Sequence, residues 1–401
     1  MKYLHEISFF VSEKINSSEI ELQNYVTTDN LLQNKEGVTL AVSLPVNNTK
    51  LTKYEKGDIL VSNIRPYLRK IWFANKSGGC SNDVLVFRAK ENNDPAFLYY
   101  SLLQNNFFDF VMSGAKGTKM PRGDKSQMMN FGVSNFELST QQKIAQVLST
   151  LDRKIALNQQ INAELEKMAK TLYDYWFVQF DFPDENGNPY KSSGGEMVYH
   201  PELKREVPKG WVCGNIMEIA NLLGGGTPSK NNDEFWNGNI PFFTPTDCNN
   251  DVYILSTKDN ITAIGLEKSS TKLFPENTIL LTARGSVGKL SLNAIPMAMN
   301  QSCYALMAKD EISYSFLYFL ARQLIHILEI KATGSVFNSI VSNDIENTFL
   351  TIPEKIKIQE FGEICEPIFE KIKTNTKETQ KLTQLRDFLL PMLMNGQVEV
   401  A

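Results

Sequence analysis

Few residues in this sequence have the types and spacing that catalysis requires, and each set fails a specific test. Gly285-Ser286-Val287-Gly288-Lys289 comes nearest to a phosphate-cradling loop. Such a loop needs a glycine where Ala283 stands and a magnesium-binding hydroxyl where Leu290 stands, so that reading is rejected. Gly224-Gly225-Gly226 lacks dinucleotide-binding spacing and reads as a turn. His5, His200 and His326 have no triad or metal partner near them in sequence and read as structural. The five cysteines, Cys80, Cys213, Cys248, Cys303 and Cys365, are scattered, and no pair has metal-ligand spacing. They are expected to be reduced, with no metal bound. No nucleophile–base–orienter set emerges, so the chain is expected to carry no reaction of its own.

What remains is chemistry for holding a polyanion. Gly114-Ala115-Lys116-Gly117-Thr118-Lys119-Met120-Pro121-Arg122-Gly123-Asp124-Lys125 concentrates four cations against one anion. Its glycines would let backbone approach a phosphate or a groove. Lys331-Ala332-Thr333-Gly334-Ser335-Val336-Phe337-Asn338-Ser339 is less basic, but Ser335 and Asn338 could bond base edges. Arg65, Arg69 and Lys70, with Arg284 and Lys289, follow apolar strand-like runs, and Lys230 follows a glycine-rich turn. Each could face a nucleic acid, and a solvated loop is the plainer alternative. The net charge of −4 does not by itself suggest a nucleic-acid binder.

The elements that must position these residues occur twice. Adding 219 to Arg65, Lys70, Lys90, Phe97 and Tyr100 gives Arg284, Lys289, Lys309, Phe316 and Phe319. Both blocks are entered through apolar runs, Asp58-Ile59-Leu60-Val61 and Thr278-Ile279-Leu280-Leu281. An internal repeat follows. The opening fifty or so residues have no evident counterpart in the second copy.

Each copy ends in a helix with a seven-residue seam. In the first, Ile144, Leu151, Asn158, Leu165 and Leu172 interleave with Leu148, Ile155, Asn162, Ala169 and Trp176. Adding 217 gives Phe361, Ile368, Asn375, Leu382 and Leu389, interleaved with Cys365, Ile372, Thr379, Arg386 and Leu393. The spacing predicts an antiparallel coiled coil whose polar centre, Asn158, Asn162, Asn375 and Thr379, fixes register at some cost in stability. Two amphipathic helices packed on their own domains are the alternative.

Between the copies, Asp181-Phe182-Pro183-Asp184-Glu185-Asn186-Gly187-Asn188-Pro189 and Ser192-Ser193-Gly194-Gly195 read as a linker. The expected organisation is a globular unit at 1–137, a helix at 138–180, a linker at 181–210, a globular unit at 211–353, and a helix with tail at 354–401. The fold class is α+β: two globular α/β domains separated by two long helices in an antiparallel coiled coil, with pseudo-twofold internal repetition. At 401 residues with 42% hydrophobic and 21% charged, the chain suits several soluble domains. Its most apolar helical stretch, Tyr314 to Ile330, carries Arg322, His326 and Glu329, so no membrane span is expected. The N-terminus lacks a signal core, and the expected location is the cytoplasm.

Four sets of words carry a resemblance. Trp176-Phe177-Val178-Gln179-Phe180-Asp181 closes the first helix, and Val207-Pro208-Lys209-Gly210-Trp211 opens the second unit. Gly225-Gly226-Thr227-Pro228-Ser229-Lys230 is followed by Phe235-Trp236-Asn237-Gly238. Leu385-Arg386-Asp387-Phe388-Leu389-Leu390-Pro391-Met392-Leu393-Met394-Asn395-Gly396 closes the chain. In this order the sequence resembles the specificity subunit of a type I restriction-modification system.

The resemblance implies two target recognition domains, each reading half of a gapped, asymmetric site in double-stranded DNA. It implies two modification subunits as partners, with restriction subunits able to join. S-adenosylmethionine would be used by the modification subunits, and this chain would bind no cofactor. No Asn/Asp-Pro-Pro-Tyr/Phe sequence of adenine methyltransferases occurs here, in keeping with that division of labour. A coiled-coil protein adaptor that never touches DNA is the alternative function.

Overall fold

The computed structural model describes residues 1–46, 48–249, 251–332 and 339–400. They form two compact units, Met1–Ile155 with Lys381–Ala401, and Ala156–Gln380. The division passes through both long helices, Leu138–Tyr173 and Lys355–Met394, so each unit contains part of each. Among the described residues no helix is long and apolar enough to cross a membrane.

The first unit is built on the antiparallel strand order Ser8–Phe10, Val84–Ala89, Ile59–Ser62, Ile71–Phe73. Its central strand, Ile59-Leu60-Val61, is apolar on both faces because both faces are covered. Ile59 and Val61 join Phe87, Phe97, Phe107, Ile144 and Leu148 in one core, while Leu60 joins Tyr54, Trp72 and Val86 in another. Helix Pro95–Leu103 starts where Pro95 fits a first turn and the Asp94 carboxylate accepts from the Phe97 amide at 2.8 Å. A second four-stranded sheet runs Lys14–Asn16, Lys50–Tyr54, Gly78–Cys80, Tyr25–Val26.

The second unit repeats the plan at larger size. Its five-stranded sheet runs Ala220–Gly224, Cys303–Ala308, Ile279–Thr282, Leu290–Asn293, Tyr253–Ile254. Ile279 and Leu281 again face one core and Leu280 another. Helix Tyr314–Lys331 is capped by Ser313, the counterpart of Asp94 at the same offset of 219.

Register shows how far the repetition reaches. Ile59 pairs with Phe87 and Phe73; Ile279 pairs with Leu306 and Leu292. Ser8 pairs with Ala89 as Ala220 pairs with Ala308, so the opening residues do have counterparts, contrary to the sequence expectation. Leu4 and Ile7 occupy the places of Ile216 and Ile219, all four buried. The match was invisible because backbone register and two buried positions persisted while the surrounding side chains and loop lengths changed.

The long helices carry the predicted periodicity. Ile144, Leu148, Ile155, Asn158, Phe361, Ile372 and Asn375 are buried, and Leu151, Asn162, Leu165, Leu172, Ile368, Leu382 and Leu389 are partly so. In the second unit the two helical segments run antiparallel. Asn158 Nδ2 donates to Glu378 Oε2 at 2.8 Å, and Asn162 Nδ2 donates to Thr376 Oγ1 at 3.2 Å. In the first unit Ile144 and Leu148 share a core with Leu390, Leu393 and Met394, which is the work of the C-terminal word.

The stretch 181–210 is folded rather than a bare tether. Met197–His200 and Arg205–Pro208 form an antiparallel hairpin, and both Asp181 carboxylate oxygens accept from Ser192 at 2.7 Å. The segments 176–181 and 207–211 meet here. Trp211 lies 5.0 Å from Phe182, 5.5 Å from Phe180 and 5.9 Å from Phe177, ring centre to ring centre.

Candidate nucleic-acid interface

In the first unit, the turn from Arg65 to Arg69 joins two strands of the main sheet. Arg65 and Arg69 both take left-handed backbone, φ 50° and 51°, which costs a non-glycine residue about 1 kcal/mol or more. The turn is held against the basic loop: the Arg65 amide donates to the Pro121 carbonyl at 2.8 Å, and Ile64 bridges Arg122. Lys116 and Arg122 exchange two backbone hydrogen bonds of 2.9 Å, pinching the loop so that Lys119 and Met120 stand at its tip. Exposed Arg65, Tyr67, Lys119, Met120 and Lys125 thus cluster on two adjoining loops. Tyr67 and Met120 escaped the sequence reading, which scored charge and not exposed rings or thioethers.

The second unit has the same juncture. Arg284 bridges Ser339, and the Ile340 amide donates to the Ala283 carbonyl at 2.9 Å, as Gly123 donates to Asn63 at 3.2 Å in the first. Ser335 and Asn338 lie outside the described residues. Gly285-Ser286-Val287-Gly288-Lys289 turns from one strand to the next, with the Gly288 amide donating to Thr282. A phosphate loop would lead from a strand to a helix, so geometry agrees with its rejection.

The cations are not equally free. Arg65, Lys119, Lys125, Lys230 and Arg284 are exposed and carry no ion pair among the described residues. Lys116 pairs with Asp124 at 3.3 Å, Arg122 with Asp83 at 3.2 Å, and Arg69 with Asp109 at 3.7 Å. The Gln127 amide and the Lys116 ammonium hold the Asp124 carboxyl below its ordinary range. Burial, with the Arg69 guanidinium nearby, lowers the Lys35 ammonium. Lys70 and its counterpart Lys289 are anchors: Lys70 Nζ donates to the Thr28 carbonyl, and Lys289 Nζ to the Cys248 carbonyl at 3.2 Å.

The glycines of the basic loop have other work than close approach. A Cβ on Gly123 would sit 2.1 Å from Met128 Cε, and Gly117 turns the chain at φ 96°. The glycine-rich word of the second unit is likewise packed. A Cβ on Gly225 would lie 2.2 Å from the Asn300 carbonyl oxygen, and Trp236 Nε1 donates to the Ser229 carbonyl at 3.0 Å. Lys230 is left exposed beyond that braced turn.

The duplicated fold and its loop junctures define a two-domain chain built on an internal repeat. The family model described as type I restriction modification DNA specificity domain matches residues 8–167 and again 208–384, and the chain belongs to that family. It is similar to the type I restriction enzyme HindI specificity subunit of Haemophilus influenzae, at 28% identity over 98% of each chain. It is also similar to the MjaIX specificity subunit of Methanocaldococcus jannaschii, at 29% identity over 88% of this chain and 81% of that one. The crystal structure of a type I restriction-modification S subunit from M. genitalium shares the fold, with TM-score 0.59 and 15% identity over 98% and 95% of the two chains.

Proposed function

We propose that this chain is the DNA-reading subunit of a type I restriction-modification complex and is itself non-catalytic. The observation that carries the reading is the repeated juncture of a strand turn with a loop, Ile64 against Arg122 and Arg284 against Ser339, one in each copy of the family domain. Two similar but non-identical domains suit two different half-sites, where a homodimer would read a palindrome. Arg65, Lys119, Lys125 and Arg284 supply phosphate or base contacts, and the same role is proposed for Ser335 and Asn338, which lie outside the described residues. The globular regions 1–137 and 211–353 act as the reading domains.

The helices at 138–180 and 354–401 act as an antiparallel coiled-coil spacer. A spacer of about 35 residues at about 1.5 Å per residue spans roughly 50 Å. The partners are double-stranded DNA, two modification subunits and, in the full enzyme, restriction subunits. S-adenosylmethionine belongs to the modification subunits, and this chain needs no cofactor for reading DNA. The adaptor alternative is not favoured, because the family matched in both halves is a DNA-specificity family.

Copurification with the modification subunit, followed by duplex binding over a salt series, tests the reading. Binding whose affinity falls steeply with salt supports it. A complex that forms but ignores duplex DNA would restore the adaptor.

A further inference from the structure

The hairpin Met197–His200/Arg205–Pro208 is a two-stranded sheet of its own, which is marginal without further support. One support is visible: Arg205 lies over the Phe180 ring at 4.5 Å and donates to the Val178 carbonyl at 3.1 Å. The same turn end of the hairpin, where Arg205 pairs with His200, carries a second arrangement. His200 ends the first strand, Glu202 sits on the connecting turn, and Cys213 comes from the strand Val212–Gly214. One ligand atom from each lies within 4.8 Å of the other two.

Two further observations single out this cluster. His200 Nδ1 is buried and has no hydrogen-bond partner, a state that buried ring nitrogens rarely keep without another ligand. Cys213 is also the partly exposed thiol, whereas Cys80, Cys248, Cys303 and Cys365 are buried. An imidazole, a thiolate and a carboxylate together form the donor set of a borderline-soft divalent ion.

We propose that His200, Glu202 and Cys213 form a zinc site that ties the hairpin to the strand Val212–Gly214. Coordination needs the Cys213 thiolate and a neutral His200, so the thiol proton is released to solvent as the ion binds. The thiolate and carboxylate balance the two positive charges, and the tetrahedral fourth position is left to water. Metal-to-ligand lengths of about 2.0–2.3 Å require the three side chains to close by roughly an ångström, which a turn and a strand end allow. Cysteine spacing could not signal such a site, because its ligands are three different residue types from separate segments.

The test uses the full chain, stripped with a chelator and titrated with Co²⁺, then with Zn²⁺. The expected result is one equivalent bound, a thiolate-to-cobalt charge-transfer band, displacement by zinc and a raised melting temperature. Cys213→Ser should abolish the band and His200→Gln the stoichiometric binding, while His326→Gln should change neither. As a check independent of variant folding, zinc should slow alkylation of the accessible thiol in the unaltered chain. Absence of a stoichiometric ion, a band surviving in Cys213→Ser, or alkylation indifferent to zinc would overturn the proposal.

Discussion

Asn375 donates from Nδ2 to the Oδ1 of Asn162 at 2.9 Å, and Asn162 in turn faces the Thr376 hydroxyl and the Ile372 carbonyl of the opposite helix. With the Asn158–Glu378 bond, this gives the second unit a buried polar centre between antiparallel helices. A polar pair in an apolar seam is satisfied in one register only, which is how it selects that register. Asn375→Leu leaves the Asn162 Oδ1 without its donor and should cost about 1–3 kcal/mol. Asn162→Leu with Asn375→Leu should recover part of that loss, giving a favourable coupling of about 1 kcal/mol in denaturant melts. Additive effects would show that the bond does not contribute.

The first unit solves the equivalent problem with charge. Asp152 accepts from Arg386 at 2.9 Å and from the Tyr100 hydroxyl at 2.6 Å. Burial and then the Asp152 carboxylate push the Tyr100 hydroxyl well above its ordinary value, so Tyr100 stays the donor. At the matching positions the second unit has Ala169, Phe369 and Phe319, with the two rings edge to face at 5.8 Å. Arg386→Met should therefore destabilise the first unit by about 1–3 kcal/mol, less in high salt. Phe369→Ala should cost about 3–5 kcal/mol with little salt dependence. Equal salt sensitivity would contradict this assignment.

Salt titration of DNA binding separates contacting cations from anchoring ones. Removing Arg65, Lys119 or Lys125 should lower the salt slope by about one each. Lys70→Met and Lys289→Met should leave the slope unchanged and lower thermal stability, because those amines hold the Thr28 and Cys248 carbonyls. A reduced slope in the Lys70 variant would place that amine on the DNA.

Gly123→Ala tests whether the basic loop depends on packing beneath it. The new methyl would meet Met128 Cε at 2.1 Å and Val111 Cγ1 at 2.8 Å, an overpacking worth about 1–3 kcal/mol. DNA affinity should fall although no charge has changed. Unaltered stability would show that Met128 gives way freely.

Much of this was legible in the sequence because periodicity and spacing are local. The seam positions are there as a seven-residue pattern, and the offset that joins Phe97 to Phe316 falls on equivalent helices, whereas at the strand turn Arg284 takes the place of Ile64, one residue short of Arg65. Long-range partners are not written locally. Lys90 counts as a repeat match, yet only the fold shows its Nζ donating to the His5 carbonyl at 2.7 Å, as Lys309 does to Met217 at 2.6 Å. The same holds for Lys70, whose anchoring carbonyl lies 42 residues away in sequence. The counterpart of the opening strand was missed because its identity rests on pairing register, Ser8 with Ala89 and Ala220 with Ala308, and not on side chains.

The most direct test of the central claim is a methylation map. The chain is co-expressed with its modification subunit in a methylation-free host, and the DNA is read with modification-sensitive long reads. The account predicts a gapped, asymmetric motif with one methyl-adenine in each half, and replacement of 211–353 by the matching region of a relative should change one half only. Methylation of a continuous or palindromic motif, or a motif that changes in both halves on that exchange, would contradict it.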